Sequence, residues 1–302
     1  MDFKQLRSFI AVIRYGSFTT AASKLRISQP TVSTHIRQLE DELGIPLVVR
    51  NAKRVELTAG GYKMYDQAVA MLAMHDKMLQ GIRRKGGESV YLGASSIPSC
   101  YVLPGLLAQF AELKPAARFV ITQDSSKPVL NGMASGLYEL GFVGMREQGD
   151  ALDFTPFYHD RIVIATPNEE RFAAIDRSDR KAIVDMLRAE RFVMRKGGSA
   201  TRTTAEGILG KAGIDESGLR VVATVNDQDA AKNLVECGCG ISMLSELAVR
   251  KHVEAGRMLA FDIPGIDASR KFYMVKRKNA KLSELAEALF DFILERGDAV
   301  DE

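Results

Sequence analysis

The chain has 302 residues, of which 46% are hydrophobic and 26% charged, with a formal net charge of +3. No apolar run approaches the ~18–20 residues needed to cross a bilayer, and the amino terminus lacks the apolar stretch of a signal peptide, so a cytoplasmic chain with no membrane partner is expected. Three cysteines (Cys100, Cys237, Cys239) are too few for a disulfide framework, and the length predicts two or three domains.

The charge becomes informative once divided. Residues 1–58 carry nine Lys/Arg against five Asp/Glu, an excess of four, whereas the rest of the chain carries 32 against 33. The whole basic excess therefore lies in the first fifth of the sequence. That asymmetry points to a polyanionic partner for this segment alone.

Within the segment, Leu6, Phe9, Ile10 and Ile13 recur at i, i+3, i+4 and i+7, which predicts an amphipathic helix over residues 3–15. Gly16 ends it, and Ser17 or Thr19 can cap the next helix, whose small apolar face is Ala21, Ala22 and Leu25. Ile27 marks a tight turn. Val32, Ile36, Leu39 and Leu43 then follow at spacings of four, three and four, placing one stripe of a third helix on a core. Ser28 is suited to N-cap this helix, and Pro30 is tolerated in its first turn because that N–H would be unpaired anyway. The opposite face bears Gln29, Thr31, Ser33, Thr34, His35 and Arg37, rich in donors and free of acids until Glu40. A helix of this kind can lie in a major groove and read base edges. Gly44 is placed to stop it. Residues 46–57 alternate apolar and polar around a basic turn, as in a small hairpin, with Arg50, Lys53 and Arg54 positioned to meet phosphates.

Three helices and a hairpin wing ending in LTAGG resemble the DNA-binding domain of LysR-type transcriptional regulators. The matching residues are FKQLRSFIAV, SFTTAASKLRISQPTVSTHIRQLEDELGIPL and the wing, almost continuous over 1–61. The resemblance implies a winged helix-turn-helix whose Gln29, Pro30, Ser33, Thr34 and Arg37 face double-stranded DNA. With the cap and first-turn residues, the candidate DNA-facing set is Ser28, Gln29, Pro30, Thr31, Ser33, Thr34 and Arg37, plus Arg50, Lys53 and Arg54 on the wing. Val48-Val49 departs from the family, where many members have an aromatic.

Thr58 can cap a long helix through about Arg84. Met64, Ala68, Met71, His75, Met78 and Ile82 repeat at 4, 3, 4, 3, 4, beside a second stripe of Tyr65, Val69, Leu72 and Leu79. So wide an apolar face must be covered, either by an identical helix or by the chain's own core. The family resemblance implies the former: a homodimer, usually assembled into a tetramer, bringing two recognition helices to an interrupted palindromic operator. Arg83-Arg84-Lys85-Gly86-Gly87 reads as a polar hinge.

From Ser89 the pattern changes to short strands alternating with helices, which predicts a mostly parallel sheet with helices on its faces. Strands are expected at 90–95, 118–123, 139–144, 161–167, 191–195, 221–225, 240–244 and 272–276, and helices at 102–113, 129–135, 179–189, 201–212, 228–236 and 283–295. Two such α/β units suggest two subdomains with a cleft between them. The family resemblance implies an effector domain of the periplasmic-binding-protein type 2 fold, with subdomain I at 88–161 and 266–302 and subdomain II at 162–265. The full expectation is an α/β chain with a winged helix-turn-helix at 1–58, a linker helix and hinge at 59–87, and an effector domain at 88–302.

Ligands in open α/β sheets bind beyond the carboxyl ends of strands. Three loops there have suitable chemistry: Ser95-Ser96 with Ser99 and Cys100, the Gln123–Ser126 stretch including Ser125, and Gly197–Arg202 with Ser199, Thr201 and Arg202. Hydroxyls, unpaired N–H groups and a guanidinium suit a small anionic metabolite. Within the family, Ser95, Ser96, Ser199, Thr201 and Arg202 fall where the inducer pocket is commonly lined. The SSIP and GSATR stretches, with YHDRIVIATP between them, are similar to a branch associated with selenium and sulfur metabolism. The resemblance also implies RNA polymerase as a partner of the DNA-bound form.

The competing class is a solute-binding protein or small-molecule enzyme with an accessory domain. The missing signal peptide argues against the first, and missing catalytic groupings against the second. No GxSxG elbow occurs, residues 207–213 lack the spacing and hydroxyl of a P-loop, and the four histidines are far apart, so neither a cofactor nor a metal is expected. Cys237-Gly238-Cys239 is read as a tight helix-to-strand turn. Cys100, at a helix start by the cleft, is the thiol whose position favours a thiolate.

Overall fold

A computed structural model describes residues 1–50, 55–83, 89–147 and 149–297, and divides the chain into two compact units, 1–85 and 86–302.

The first unit opens with α1 (Phe3–Tyr15), α2 (Phe18–Leu25) and α3 (Gln29–Leu43). Each begins on a side-chain cap. Asp2 and Gln5 form a reciprocal capping box, the Ser17 hydroxyl accepts from the Thr20 amide, and the Ser28 hydroxyl accepts from the Thr31 amide. Gly16 and Gly44 end α1 and α3 with φ of 65° and 68°, conformations that only glycine adopts without cost. Leu6, Phe9, Val12, Ala21, Val32, Ile36 and Leu39 form the buried core. Complete burial of a residue such as Phe9 contributes about 1.5–3 kcal/mol.

The wing is β1 (Val48–Arg50) against antiparallel β2 (Val55–Leu57). Its tip, including Lys53 and Arg54, and the Arg50 side chain lie outside the described residues. Glu40 Oε1 receives the Leu47 and Val48 amides and ties the wing to α3. Thr58 then bridges, donating to the Pro46 carbonyl and accepting from the Gly61 amide. At Gly61 a β-carbon would stand 2.0 Å from the Leu47 carbonyl oxygen, so the second glycine of TAGG is required by backbone contact.

The long helix is α4 (Ala59–Arg83). Its apolar face divides. Ala68 is buried in the unit's own core with Met64, Tyr65 and Leu72 packed beside it, and His75 stacks on Phe3. Tyr62, Val69, Met71 and Met74 remain exposed. The chain's own core therefore covers part of the apolar face, and the rest is left uncovered by the first unit.

The second unit runs β3 (Ser89–Ser95), a π-helical turn (Pro98–Val102), α5 (Leu103–Leu113), β4 (Arg118–Asp124), α6 (Ser126–Ala134), β5 (Leu140–Val143) and β6 (Leu152–Pro167). Then follow α7 (Glu170–Ala173), α8 (Arg180–Ala189), β7 (Arg191–Arg195), α9 (Ala200–Lys211), β8 (Arg220–Val225), α10 (Gln228–Glu236), β9 (Ser242–Ser245), α11 (Glu246–Glu254), β10 (Met258–Phe261), β11 (Ser269–Arg277) and α12 (Glu284–Gly297).

The expected mostly parallel sheet is corrected to a mixed one. β4, β3 and β5 are parallel, but β11 joins β5 antiparallel, and β6 pairs antiparallel with β11, β9 and β10. The sixteen-residue β6 causes this. Its first part, Leu152 to Arg161, pairs with β11; from Ile162 it pairs with β9. One strand therefore belongs to two sheets. The first is filled by Leu92, Leu103, Phe142, Phe272 and Phe290, and the second by Ile162, Phe172, Phe192, Ile208 and Phe261. Parallel β7 and β8 extend the second sheet through a bridge from Phe192 to Ile241.

Candidate functional site

On α3, Ser28, Gln29, Pro30 and Arg37 are exposed, and Thr31, Ser33 and Thr34 half-buried. Gln29, Ser33 and Arg37 follow at i, i+4 and i+8, so they share one helical stripe with Pro30 and Thr34 beside it. Ser28 and Thr31 are occupied with each other, their hydroxyl oxygens 2.7 Å apart at the helix start. His35, which the sequence places on the same polar face, instead turns toward α1, with Nδ1 2.7 Å from the Ser8 hydroxyl. The result is a donor-bearing surface at the amino end of a rigid helix, suited to phosphates and base edges.

In the second unit, three strand-to-helix junctions converge. Ser95 ends β3 and Ser96 follows it, Ser125 and Ser126 open α6, and Ser199, Ala200 and Thr201 open α9. Together with Ile97, Gly144, Arg195, Arg270 and Phe272 they enclose a cavity of about 20 Å³, enough for a water-sized group. Ser125 and Ser199 are N-caps whose hydroxyls do not cap their own helices. An open recess of about 420 Å³ continues from the cavity and shares Ser96, Ser125, Arg195 and Ser199 with it.

Five of the eight effector candidates, Ser95, Ser96, Ser125, Ser199 and Thr201, therefore come together. Ser99 and Cys100 sit in the π-helical turn outside the cavity lining. The Cys100 thiol donates to Gln123 Oε1, and partial burial, then the charge of Asp229, push its pKa up rather than toward a thiolate. Arg202 is also turned elsewhere. Its guanidinium pairs with Glu206 and Glu216 and donates to the Arg195 carbonyl.

The guanidiniums that do line the cavity, Arg195 and Arg270, were not among the sequence candidates; both are buried, at 5% and 8% exposure. Arg270 donates from Nε to Asp160 Oδ2 at 2.8 Å and from Nη1 to Thr201 at 3.1 Å. Its Nη2 lies 2.7 Å from the same Asp160 oxygen, in ion-pair contact but off line for a hydrogen bond. Ser245 donates to the other oxygen of Asp160. Arg195, by contrast, reaches only neutral acceptors, Gln228 Oε1 and the Asn226 carbonyl. Burial lowers the pKa of both guanidiniums; at Arg195 the charge of Asp227 opposes that shift and the charge of Arg270 adds to it.

Among the described residues, three buried side-chain nitrogens lack a hydrogen-bond acceptor: Arg195 Nε, Gln228 Nε2 and Arg270 Nη2. All are donors, and all belong to this cluster. Buried donors without acceptors cost about 1–3 kcal/mol each, more when charged. Groups of three or more metal-ligating side chains are absent among the described residues. No described helix is long and apolar enough to cross a membrane.

Comparison with known proteins gives this geometry its context. Residues 3–62 match the model of the bacterial regulatory helix-turn-helix protein, lysR family, and residues 84–298 that of the LysR substrate binding domain. The RuBisCO operon transcriptional regulator of Allochromatium vinosum is 28% identical over 297 residues, covering 97% of this chain and 96% of its own. The crystal structure of CbnR, a LysR family transcriptional regulator, superposes with a TM-score of 0.68 at 22% identity, over 98% of this chain and 99% of that one. Full-length CbnR complexed with its target DNA gives 0.64 at 24% identity, over 98% and 100%. These names lend nothing to the narrower likeness to a selenium- and sulfur-metabolism branch. Two family models that together span nearly the whole sequence, one over the helix-turn-helix and one over the serine- and arginine-lined domain, establish that the chain belongs to the LysR-type DNA-binding transcriptional regulators.

Proposed function

We propose that this regulator is controlled by a small anion held in the cavity between the two sheets of its second unit. The observation that carries the reading is Arg195: a buried cation whose hydrogen bonds go only to neutral acceptors, its Nε lacking an acceptor, at the wall of a water-sized cavity. An oxyanion there gives Arg195 a counter-charge and accepts from Ser95, Ser96, Ser125, Ser199 and Thr201, while the amino ends of α6 and α9 add favourable dipoles. Ser99, Cys100 and Arg202 then support the site from outside.

The same reading assigns the first unit to an interrupted palindromic operator in double-stranded DNA. Gln29, Pro30, Ser33, Thr34 and Arg37 read the groove, Ser28 and Thr31 set the start of the helix, and Arg50, Lys53 and Arg54 hold phosphates. The exposed side of α4 pairs with a second copy, and dimers assemble into tetramers. In the cytoplasm the anion favours one arrangement of the two lobes, and α4 passes the difference to the paired recognition helices and to RNA polymerase. A ligand shifts such an equilibrium only by its differential affinity for the two arrangements.

Thermal shift of the full chain with sulfate, phosphate and acetate at constant ionic strength tests the site. For at least one anion the wild type is expected to show a midpoint that climbs with the logarithm of concentration, a stabilisation of about 2.7 kcal/mol at a hundredfold excess over Kd. Arg195→Gln is expected to abolish the rise without lowering the ligand-free midpoint. A rise that survives the substitution refutes the assignment.

A further inference from the structure

The cavity and the recess that continues from it differ in charge. Inside, two guanidiniums face one carboxylate, Asp160, leaving an excess of one positive charge. The recess outside is lined by two carboxylates, Asp124 and Asp227, and by two cations, Lys196 and the shared Arg195, so it carries no net charge. Gln123 and Asn226 complete the outer wall, and among the described residues no aliphatic or aromatic side chain lines it. The two rim carboxylates are partly committed. Asp124 Oδ1 accepts the Ser125 amide at 2.6 Å, and Asp227 Oδ2 accepts the Ala230 amide at 2.8 Å as the cap of α10. Each keeps a second oxygen able to accept.

A ligand spanning both layers meets different demands at its two ends. The inner end must be an acceptor, because the orphan groups there are all donors. The outer end must be polar, since an apolar body would gain no hydrophobic contact and would strip water from two carboxylates and an ammonium; a hydroxyl or ammonium there can donate to either carboxylate. We propose that the effector is a short anion carrying hydroxyl or ammonium groups on the carbons next to its charged end, and not an aliphatic or aromatic acid of similar size. The inference rests on the anion site argued above and adds the chemistry of the ligand's other end. Hydrogen bonds to ionised acceptors are roughly twice as strong as neutral ones, so one donor met by Asp124 or Asp227 is sufficient to discriminate.

Calorimetry on the full chain at fixed ionic strength, with propionate, glycerate, alanine and glycerol as probes, tests it. Glycerate or alanine is expected to bind about tenfold more tightly than propionate, a factor equivalent to 1.4 kcal/mol. The glycerate and alanine arms separate a hydroxyl preference from an ammonium preference. Asp124→Asn with Asp227→Asn keeps an acceptor at both capping positions but removes the two rim carboxylates. In that variant the donor-bearing probes are expected to weaken and propionate to tighten, closing the gap to about twofold.

Propionate binding as tightly as both glycerate and alanine overturns this inference. If Arg195→Gln still abolishes propionate binding, the anion site stands while its donor-seeking rim does not. If glycerol competes as well as glycerate, if Arg195→Gln changes nothing, or if no probe binds, both readings fall together.

Discussion

Arg270 and Asp160 face each other across antiparallel β11 and β6, one residue pair from the point where β6 changes partners. The Asp160 carboxylate is fully buried, so removing its partner leaves an uncompensated charge rather than merely losing a contact. Arg270→Met is expected to destabilise the second unit by about 3–5 kcal/mol, read by chemical denaturation, and Asp160→Leu in the same chain to recover much of that. Arg195→Gln is expected to cost little by the same measure, because that guanidinium has no buried carboxylate to abandon. Equal losses from the two arginines would remove the distinction between a structural and a ligand-facing cation. The contrast also explains what sequence could reveal. The serines and Thr201 are legible because they occupy strand-to-helix junctions, which local pattern identifies. Arg270 is 110 positions from Asp160, and only the register of β6 on β11 brings them together. Arg202 misleads for a local reason: a cation next to a glycine-rich loop suggests an anion ligand, yet Glu206 one turn later and Glu216 hold it.

Among the elements, β6 was legible only over its second half. Residues 162–165 are an apolar run, whereas Pro156, His159 and Asp160 interrupt the pattern upstream. The structure accommodates the interruption with a register shift opposite Phe272 and Tyr273, where Pro156 needs no ladder donor. The short helices α7 and α11 and strand β10 were not read, having too few periodic residues to stand out from loops. At the amino end of α11, Glu246 accepts two hydrogen bonds from Arg161, which also reaches Asp262. The Arg161 hydrogen bonds hold the Glu246 carboxyl below its usual range. A carboxyl depressed in the folded state stabilises above its ordinary pKa and loses that contribution as pH falls through the folded value. Arg161→Gln is therefore expected to lower stability at neutral pH by about 0.5–1 kcal/mol for this partly exposed pair, with the difference from wild type closing through the acid range. A gap that widens as pH falls would reverse the sign. In α4 the heptad pattern identifies the apolar residues, of which Met78, Leu79 and Ile82 have side chains outside the described residues, but periodicity alone cannot say which of the others the first unit itself covers. Val69, Met71 and Met74 remain on the exposed side. Met71→Glu with Met74→Glu is expected to shift sedimentation toward monomer while Ala68 and its neighbours keep the first unit folded; an unchanged distribution would locate self-association elsewhere.

For the whole molecule, charge and architecture agree. The first unit, residues 1–85, carries 14 Lys/Arg against 7 Asp/Glu, whereas the second, residues 86–302, carries 27 against 31 while concentrating two arginines in one buried cavity. One unit is thus net positive, while the other is net negative and keeps two of its guanidiniums buried, the difference between gripping a polymer and enclosing a small molecule. Surface cations act on DNA by releasing counterions, so affinity for duplex must fall steeply with salt. The exposed Arg37 on α3 is the sharpest probe of that partition, because it lies on the recognition stripe and makes no ion pair among those described. In the full chain, Arg37→Gln is expected to weaken operator binding by about 1–3 kcal/mol. If Arg37 reads a base, selection from a random duplex library will show relaxed preference at one position in each half-site. If it holds a phosphate, the loss will be uniform across sequences and the slope of log K against log salt will become shallower by about one. Lys276→Gln, a change of equal charge in the second unit, is expected to alter neither quantity. Fluorescence anisotropy over a salt series separates these outcomes, and an equal effect from both substitutions would mean that the net charge of the chain, not the face of α3, drives its attraction to DNA.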